Sequence, residues 1–351
     1  MSRDGETVLS GTVIYGDEFE PAEGYLCIEN GIIKEIGSGT VDADLQGIIA
    51  PRFVNAHTHI GDSSFKDPPF LPLEELVGPS GLKHRFLAKT SPAILIESMR
   101  KAIVDMIDTG TYAFADFREG GHIGVEMLLE AIQGLSVEAK ILGRPVVGSA
   151  QIHESCWGLG VSSTRDHNRE ILSDAVNWAR SNSMVLAMHA GEWGRDDISD
   201  SLSFKPDFLV HLTKASKEDL RIVAKSGIPV VICPRSNLVT GVGLPDVKEM
   251  IRLGISVGVG TDNVMLNSPN MFSEMKLISK ALLHDDRQVF KMCTLNGAKI
   301  MGIDRRIGSI SEGKDARLMV IDASSNNMWG SLDPLASLVR RARPSDILAI
   351  F

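Results

Sequence analysis

Three times along this chain a helical pattern stops at a glycine and gives way at once to a short apolar run. Behind Ser91-Pro92, an N-cap residue with proline at the first helical position, come Ile94, Leu95, Met99, Ile103 and Met106 at helical spacing; Gly110 ends the pattern and residues 112–117 read as a strand. Ser216 with Asp219 forms a capping-box pattern that opens a second helix, Gly227 closes it, and residues 229–233 read as a strand. Residues 245–253 repeat the plan, with Gly254 as the stop and residues 255–260 as the strand. Junctions of one design predict βα units, and βα units predict parallel strands.

The flanks read differently. Residues 8–15, 25–29 and 32–36 form short strand-like runs, with the hairpin signal Asn30-Gly31 between the last two. Residues 305–351 return to such runs at 318–321 and 347–351. The region between, 51–304, is about the 250 residues of a (β/α)8 barrel. The expected fold is α/β: a (β/α)8 TIM-like barrel over 51–304, with a small β-sandwich domain formed by both chain ends, 1–50 and 305–351.

Composition narrows the class. With 351 residues, 43% hydrophobic and 23% charged, the chain is an ordinary globular one, and disorder, collagen and coiled coil are poor readings. A net charge of −9 provides no broad basic field, so neither a nucleic-acid polymer nor an anionic membrane is an expected partner. Lys83-His84-Arg85 is a short basic patch that reads as a solvated loop, and His84, His167 and His284 read as solvated. The four cysteines are far apart without a CxxC, which suits a reducing cytoplasm. The first residues lack an apolar signal core, and no run approaches the roughly 20 apolar residues of a membrane span.

The chemistry-bearing residues sit at strand ends. His57-Thr58-His59 follows the apolar run 48–54; residues two apart on a strand point to one side, so both imidazoles can face one ion. Alone, such a pair also fits surface or core histidines. His189 ends the run 184–188, His211 ends 208–210, and Asp262 ends 255–261. Each again has a plainer reading, a hydrogen-bonded core histidine or a helix cap, but barrel active sites are built at the C-terminal ends of strands. Three imidazoles and a carboxylate suit a divalent transition metal, most simply zinc or iron. Glu192, three residues after His189, falls in the loop over the pocket, where a carboxylic acid can shuttle protons.

With these residues in place, the chain resembles the amidohydrolase superfamily, in its chlorohydrolase, cytosine deaminase-related and nucleoside deaminase branch. The matching motifs are Pro51-Arg52-Phe53-Val54-Asn55-Ala56-His57-Thr58-His59, His189-Ala190-Gly191-Glu192, Cys233-Pro234-Arg235-Ser236-Asn237, Gly260-Thr261-Asp262-Asn263, and Gly308-Ser309-Ile310 through Gly313-Lys314-Asp315-Ala316, in the family's order. The resemblance implies that His57, His59, His189 and Asp262 bind one divalent metal. Asp262, His211 and Glu192 would be catalytic, with Glu192 as the proton shuttle. His211 would touch the bound water or the substrate, or serve as a ligand in a two-metal variant. Two-metal members carry a bridging carboxylated lysine on the fourth strand; the candidates here, 141–148 and 158–163, contain no lysine, which favours one ion. Trp157, His153 and Asn237 are candidate substrate contacts, with Cys156 beside them, while His122 reads as an exposed loop residue. Residues 65–90 form a long segment after the metal-binding strand, read as a substrate wall or lid.

The implied activity is hydrolytic deamination of a nucleobase or nucleoside. The alternative is hydrolysis of a halo-triazine, guanidine or cyclic amide, and a non-catalytic scaffold is a third reading. The cytidine-deaminase fold is excluded because its HxE and PCxxC signature is missing. The chain is shorter than most of the branch, and Arg317 stands where relatives often carry Asp. A homodimer is the oligomer such barrels suggest.

Overall fold

A computed structural model describes residues 6–144 and 151–351. The chain divides into two compact units, one of residues 6–54, 106–112 and 271–351, the other of 55–105 and 113–270.

The first unit is built on strands Glu6–Tyr15 (β1), Glu20–Glu29 (β2), Ile32–Gly37 (β3) and Leu45–Pro51 (β4). Asn30 and Gly31 join β2 to β3 with φ of 52° and 76°, the left-handed pair that a tight hairpin requires.

The second unit carries Phe53–His59 (β5), Thr111–Arg118 (β6), Glu138–Gly143 (β7), Gly158–Val161 (β8), Val185–Ala190 (β9), Phe208–His211 (β10), Val230–Ile232 (β11), Val257–Val259 (β12) and Asp262–Asn263 (β13), the first two residues of β5 and of β6 excepted. These make one curled sheet in the order β12-β11-β10-β9-β8-β7-β6-β5-β13, with parallel pairing along β5-β13, β6-β7-β8-β9-β10 and β10-β11-β12. The two edge strands, β12 and β13, are separated in sequence only by Gly260 and Thr261. Asn55 clamps that join: its Nδ2 donates to Thr261 Oγ1 at 2.7 Å, and Thr261 N donates back to Asn55 Oδ1 at 3.0 Å. At Gly260 a Cβ would lie 2.5 Å from His57 Cβ, so only glycine lets the strand pass this close to β5. β5 and β6 are buried along their whole length, as strands covered on both faces must be.

The helices match the expected punctuation. Pro92–Asp108 runs up to Gly110. Lys217–Ser226 has the full reciprocal capping box of Ser216 and Asp219 and ends on Gly227 at φ 70°. The third expected helix is shorter, Val247–Arg252. The segment 65–90 carries two short helices, Leu73–Val77 and Leu82–Leu87, pinned by Phe65 stacking on Phe86 at 4.4 Å.

Strands Leu318–Ile321 (β14) and Ile347–Ile350 (β15) return to the first unit, whose sheet has the order β15-β14-β4-β1-β2-β3. Its core packs Leu9, Val13, Leu26, Ile33, Ile49 and Val320. Here the sandwich expectation needs correction. β14 pairs directly with β4, so strands from both chain ends hydrogen-bond into one sheet rather than stacking as two. The C-terminal stretch also holds a helix, Pro334–Arg340, capped by Asp333. The expected strand 141–148 is observed only to Gly143, and residues 145–148 lie outside the described residues. No helix among the described residues is long and apolar enough to cross a membrane.

Candidate metal centre

β5 delivers His57 and His59 to one place, as the period of two requires, and both are buried. β9 contributes His189, β10 ends on His211, and β13 begins with Asp262. One donor atom from each of His57, His59 and His189 lies within 4.8 Å of the others, and so does one from each of His57, His211 and Asp262. His211 and Asp262 hold left-handed backbone angles, φ 79° and 61°, which non-glycine residues rarely adopt. Strain of this kind persists where surrounding structure enforces it, often at a functional site.

Hydrogen bonds assign the imidazole protons. His59 Nδ1 faces two acceptors, Glu119 Oε1 at 2.9 Å and Phe117 O at 3.1 Å, and must donate. His189 Nδ1 donates to Val161 O at 3.0 Å. Each neutral ring therefore bears a lone pair on Nε2. Those two Nε2 atoms face each other at 3.4 Å, buried, with no proton between them to share. Asp262 Oδ1 lies 3.6 Å from His59 Nε2 and 3.3 Å from His57 Nε2, and neither nitrogen of His57 has a partner in hydrogen-bond geometry among the described residues. Lone pairs pointed at one another repel unless a cation lies between them. A tetrahedral ion with bonds of about 2.0–2.2 Å separates its ligand atoms by roughly 3.3–3.6 Å. The donors and their spacing fit a divalent ion.

The electrostatics agree. Burial pushes the His57 and His59 pKa values down, His59 to about 3, and burial with the neighbouring histidines puts His189 well below the usual range. All three are thus neutral, the form that binds metal. Burial raises the Asp262 carboxyl, but the facing imidazoles of His57, His211 and His59 outweigh it and hold the group well below the carboxylate range. Ser236 Oγ donates to its other oxygen at 2.5 Å.

His211 is set up differently. Asn237 Nδ2 donates to its Nδ1 at 3.1 Å, while Thr213 Oγ1 donates to Asn237 Oδ1 at 3.3 Å. The proton of His211 is therefore on Nε2, which lies 3.5 Å from Glu192 Oε2. In that tautomer the ring presents an N–H donor toward Glu192. Burial pushes Glu192 up to about 7, partly opposed by His211.

The structure thus brings together His57, His59, His189, His211, Asp262 and Glu192. Asn237 is also there, but it is fully buried and its amide is engaged by His211. Trp157 is not brought to the group. It precedes β8, at the opposite end from the metal-facing termini, and stacks with Phe208 at the start of β10. His153 lies between β7 and β8, 5.4 Å from the His122 ring, with its Nδ1 accepting from Ser155 N. His122 lies in the helix Gly121–Ala131 rather than in a loop. β8 holds no lysine.

Sequence reasoning missed the layer behind the ligands. Glu119 orients His59, Asp116 accepts from Thr58 Oγ1 and Ile60 N, and Arg118 pairs with both carboxylates. Its only signal was an Asp, an Arg and a Glu crowded at the end of an apolar strand. Lys83 is buried, not solvated, because two carboxylates compensate its charge. His84 is half-buried with its pKa lowered by burial, and so is His167, while His284 is exposed.

Comparison with known proteins accords with this geometry. The family described as "Amidohydrolase family" matches residues 48–202 and 206–350. A protein of Methanothermobacter thermautotrophicus named "Putative aminohydrolase" is 35% identical, over 97% of this chain and 96% of its own. A 5-methylthioadenosine/S-adenosylhomocysteine deaminase of Pyrococcus furiosus is 25% identical over 98% of this chain and 93% of its own. Among solved structures, an atrazine chlorohydrolase of Arthrobacter aurescens complexed with zinc shares the fold, with a TM-score of 0.81, 18% identity, and 98% and 95% of the two chains covered.

Proposed function

The chain belongs to the amidohydrolase family, and from that premise we propose that it is a metal-dependent hydrolytic deaminase of an amino-heterocycle, a nucleobase or nucleoside. His57, His59, His189 and Asp262 would hold one divalent ion, zinc before iron. The chemistry belongs to the region 51–304, read as a closed (β/α)8 barrel because β12 and β13 are two pieces of nearly one strand. The segments 1–50 and 305–351 take no part in it. The observation that carries the reading is the pair of facing Nε2 lone pairs, together with Glu192 held against His211, an acid whose pKa is raised to about 7. The relatives named as aminohydrolase and deaminase support ammonia as the leaving group.

When bound, a divalent ion supplies Lewis acidity, which brings the pKa of water from about 15.7 toward 7. The side chains do the rest. Asp262, ionised and steadied by Ser236, takes a proton from the attacking water. Glu192 gives its proton to the ring nitrogen next to the amino-bearing carbon, which makes that carbon electrophilic. His211 holds the incoming oxygen through Nε2–H, a tautomer enforced by Asn237. A C–O bond forms; the proton on Asp262 passes to the amine; the C–N bond breaks and ammonia leaves. The remaining hydroxyl proton restores Glu192. One water is consumed and one ammonia released.

The test is ammonia release by zinc-loaded protein over nucleobases, adenine nucleosides (5′-methylthioadenosine and S-adenosylhomocysteine included) and guanidino compounds, with Glu192→Gln as the blank. Release that drops by about 10²–10⁴-fold in the variant supports the reading. Chloride release from a halo-triazine with no ammonia from any amine would replace it.

A further inference from the structure

Lys83 lies in the helix Leu82–Leu87, within the long segment that follows β5. Arg85 in the same helix is exposed, yet Lys83 is only 2% exposed. Its Nζ is 2.5 Å from Glu119 Oε1 and 3.3 Å from Asp62 Oδ2. The same Glu119 oxygen accepts from His59 Nδ1. Asp62 is fixed from the other side: Asn263 Nδ2 donates to Oδ2 at 2.7 Å, and Met265 N to Oδ1 at 3.0 Å. Asn263 directly follows Asp262. One ammonium therefore links the carboxylate that orients a histidine of β5 to the carboxylate anchored beside the acidic ligand of β13.

Taking an ammonium out of water costs several kcal/mol unless carboxylates compensate it, and removing it would leave two buried carboxylates facing each other. Glu119 has two further cations: Arg118, with Nη2 2.7 Å from Oε2, fixes the oxygen that does not touch His59, and Arg144 reaches Oε1 only at 3.7 Å, against 2.5 Å for Lys83. Among the described residues, Lys83 alone is in close contact with both Asp62 and the Oε1 on which His59 depends.

We infer that Lys83 is a positioning residue for the metal centre, through which the segment 65–90 and the ligands His59 and Asp262 hold one another in place. The inference rests on the metal reading above. Because coupling is reciprocal, what the segment does for metal affinity the metal must do for the order of the segment. The segment is thus a part of the site that metal can tighten.

The test uses the full chain. Zinc affinity is measured by chelator competition for the wild type, Lys83→Met, Lys83→Arg and the exposed-face control Arg85→Met, and proteolysis of the segment 65–90 is followed with and without zinc. Lys83→Met should bind zinc 10–100-fold more weakly, the cost typical of lost outer-shell partners. Lys83→Arg should recover most of that loss, and Arg85→Met should show none. Zinc should protect the segment in the wild type and fail to do so in Lys83→Met. Wild-type zinc affinity in Lys83→Met, with only a lowered Tm, would reduce Lys83 to a structural anchor and overturn the inference. If Lys83→Met does not fold, the wild type decides: cleavage of the segment that zinc leaves unchanged overturns it. A wild type that takes up no zinc fails the metal reading itself, and that failure appears before any variant is compared.

Discussion

Replacing Glu192 by Gln should make the protein more stable, and only above a definite pH. The carboxyl is buried enough, with its side chain 19% exposed, that its pKa rises to about 7 in the folded chain, against about 4.3 when unfolded. A carboxyl with a raised folded pKa is fully favourable below its unfolded value, and that advantage is lost as pH rises through the folded one. Between pH 4 and 7 the unfolded chain gives up the proton while the folded chain keeps it, so unfolding is increasingly favoured. At 1.36 kcal/mol per pH unit the gap amounts to about 3 kcal/mol by pH 8. Gln is neutral throughout and avoids the loss. On chelator-stripped protein, denaturant curves of wild type and Glu192→Gln should coincide near pH 4 and separate by about 3 kcal/mol at pH 8, or about 5 °C in Tm for a chain of this size. The same variant should lose ammonia release. Curves that stay parallel from pH 4 to 9 would mean that the carboxyl is well solvated, and its assignment as proton donor near neutrality would lose its physical basis.

Further outcomes follow from the same geometry. Gly260→Ala puts a methyl group 2.5 Å from His57 Cβ and 2.7 Å from its carbonyl oxygen; it should cost about 1–3 kcal/mol of stability and weaken zinc binding more than tenfold, and wild-type affinity by chelator competition would contradict this. Asn237→Leu removes the donor that sets the His211 proton; turnover should fall by roughly 10–100-fold while zinc content by elemental analysis stays at one per chain. Loss of the metal from that variant would make His211 a ligand after all.

How far the sequence was legible depends on whether neighbours in sequence are also neighbours in space. The His57-Thr58-His59 pair could be read because the strand itself puts both rings on one side, and Asp262 and His211 because each ends an apolar run. The helix stops at Gly110, Gly227 and Gly254 are local chemistry and were visible for that reason. Lys83 was not legible: beside His84 and Arg85 nothing local separates a buried ammonium from a solvated one. Its partners, Asp62 and Glu119, are 21 and 36 positions away. The single sheet joining both chain ends was hidden likewise, since β4 and β14 read as strands whether they pair or stack. Asn237 was placed near the pocket for its motif, but only the hydrogen bond to His211 shows that its amide is spent within the protein. Trp157 read as a substrate contact from its motif, whereas its position at the start of β8 sends it the other way.

The clamp between Asn55 and Thr261 spans 206 positions, and this has a bearing on how the chain is made. Synthesis delivers β5 early and the residues of β13 some two hundred positions later. Until Thr261 arrives, His57 and His59 have a strand to sit on, and His59 has Glu119 behind it, but Asp262 is missing from the group. Pairings so distant in sequence form late, because a large loop must close before any contact repays it. An emerging chain thus exposes its paired imidazoles, without Asp262, through most of its translation, a half-site that would bind loosely whatever metal it meets. Correct loading belongs to the last stage of folding, when β13 docks on β5 and the carboxylate arrives with it.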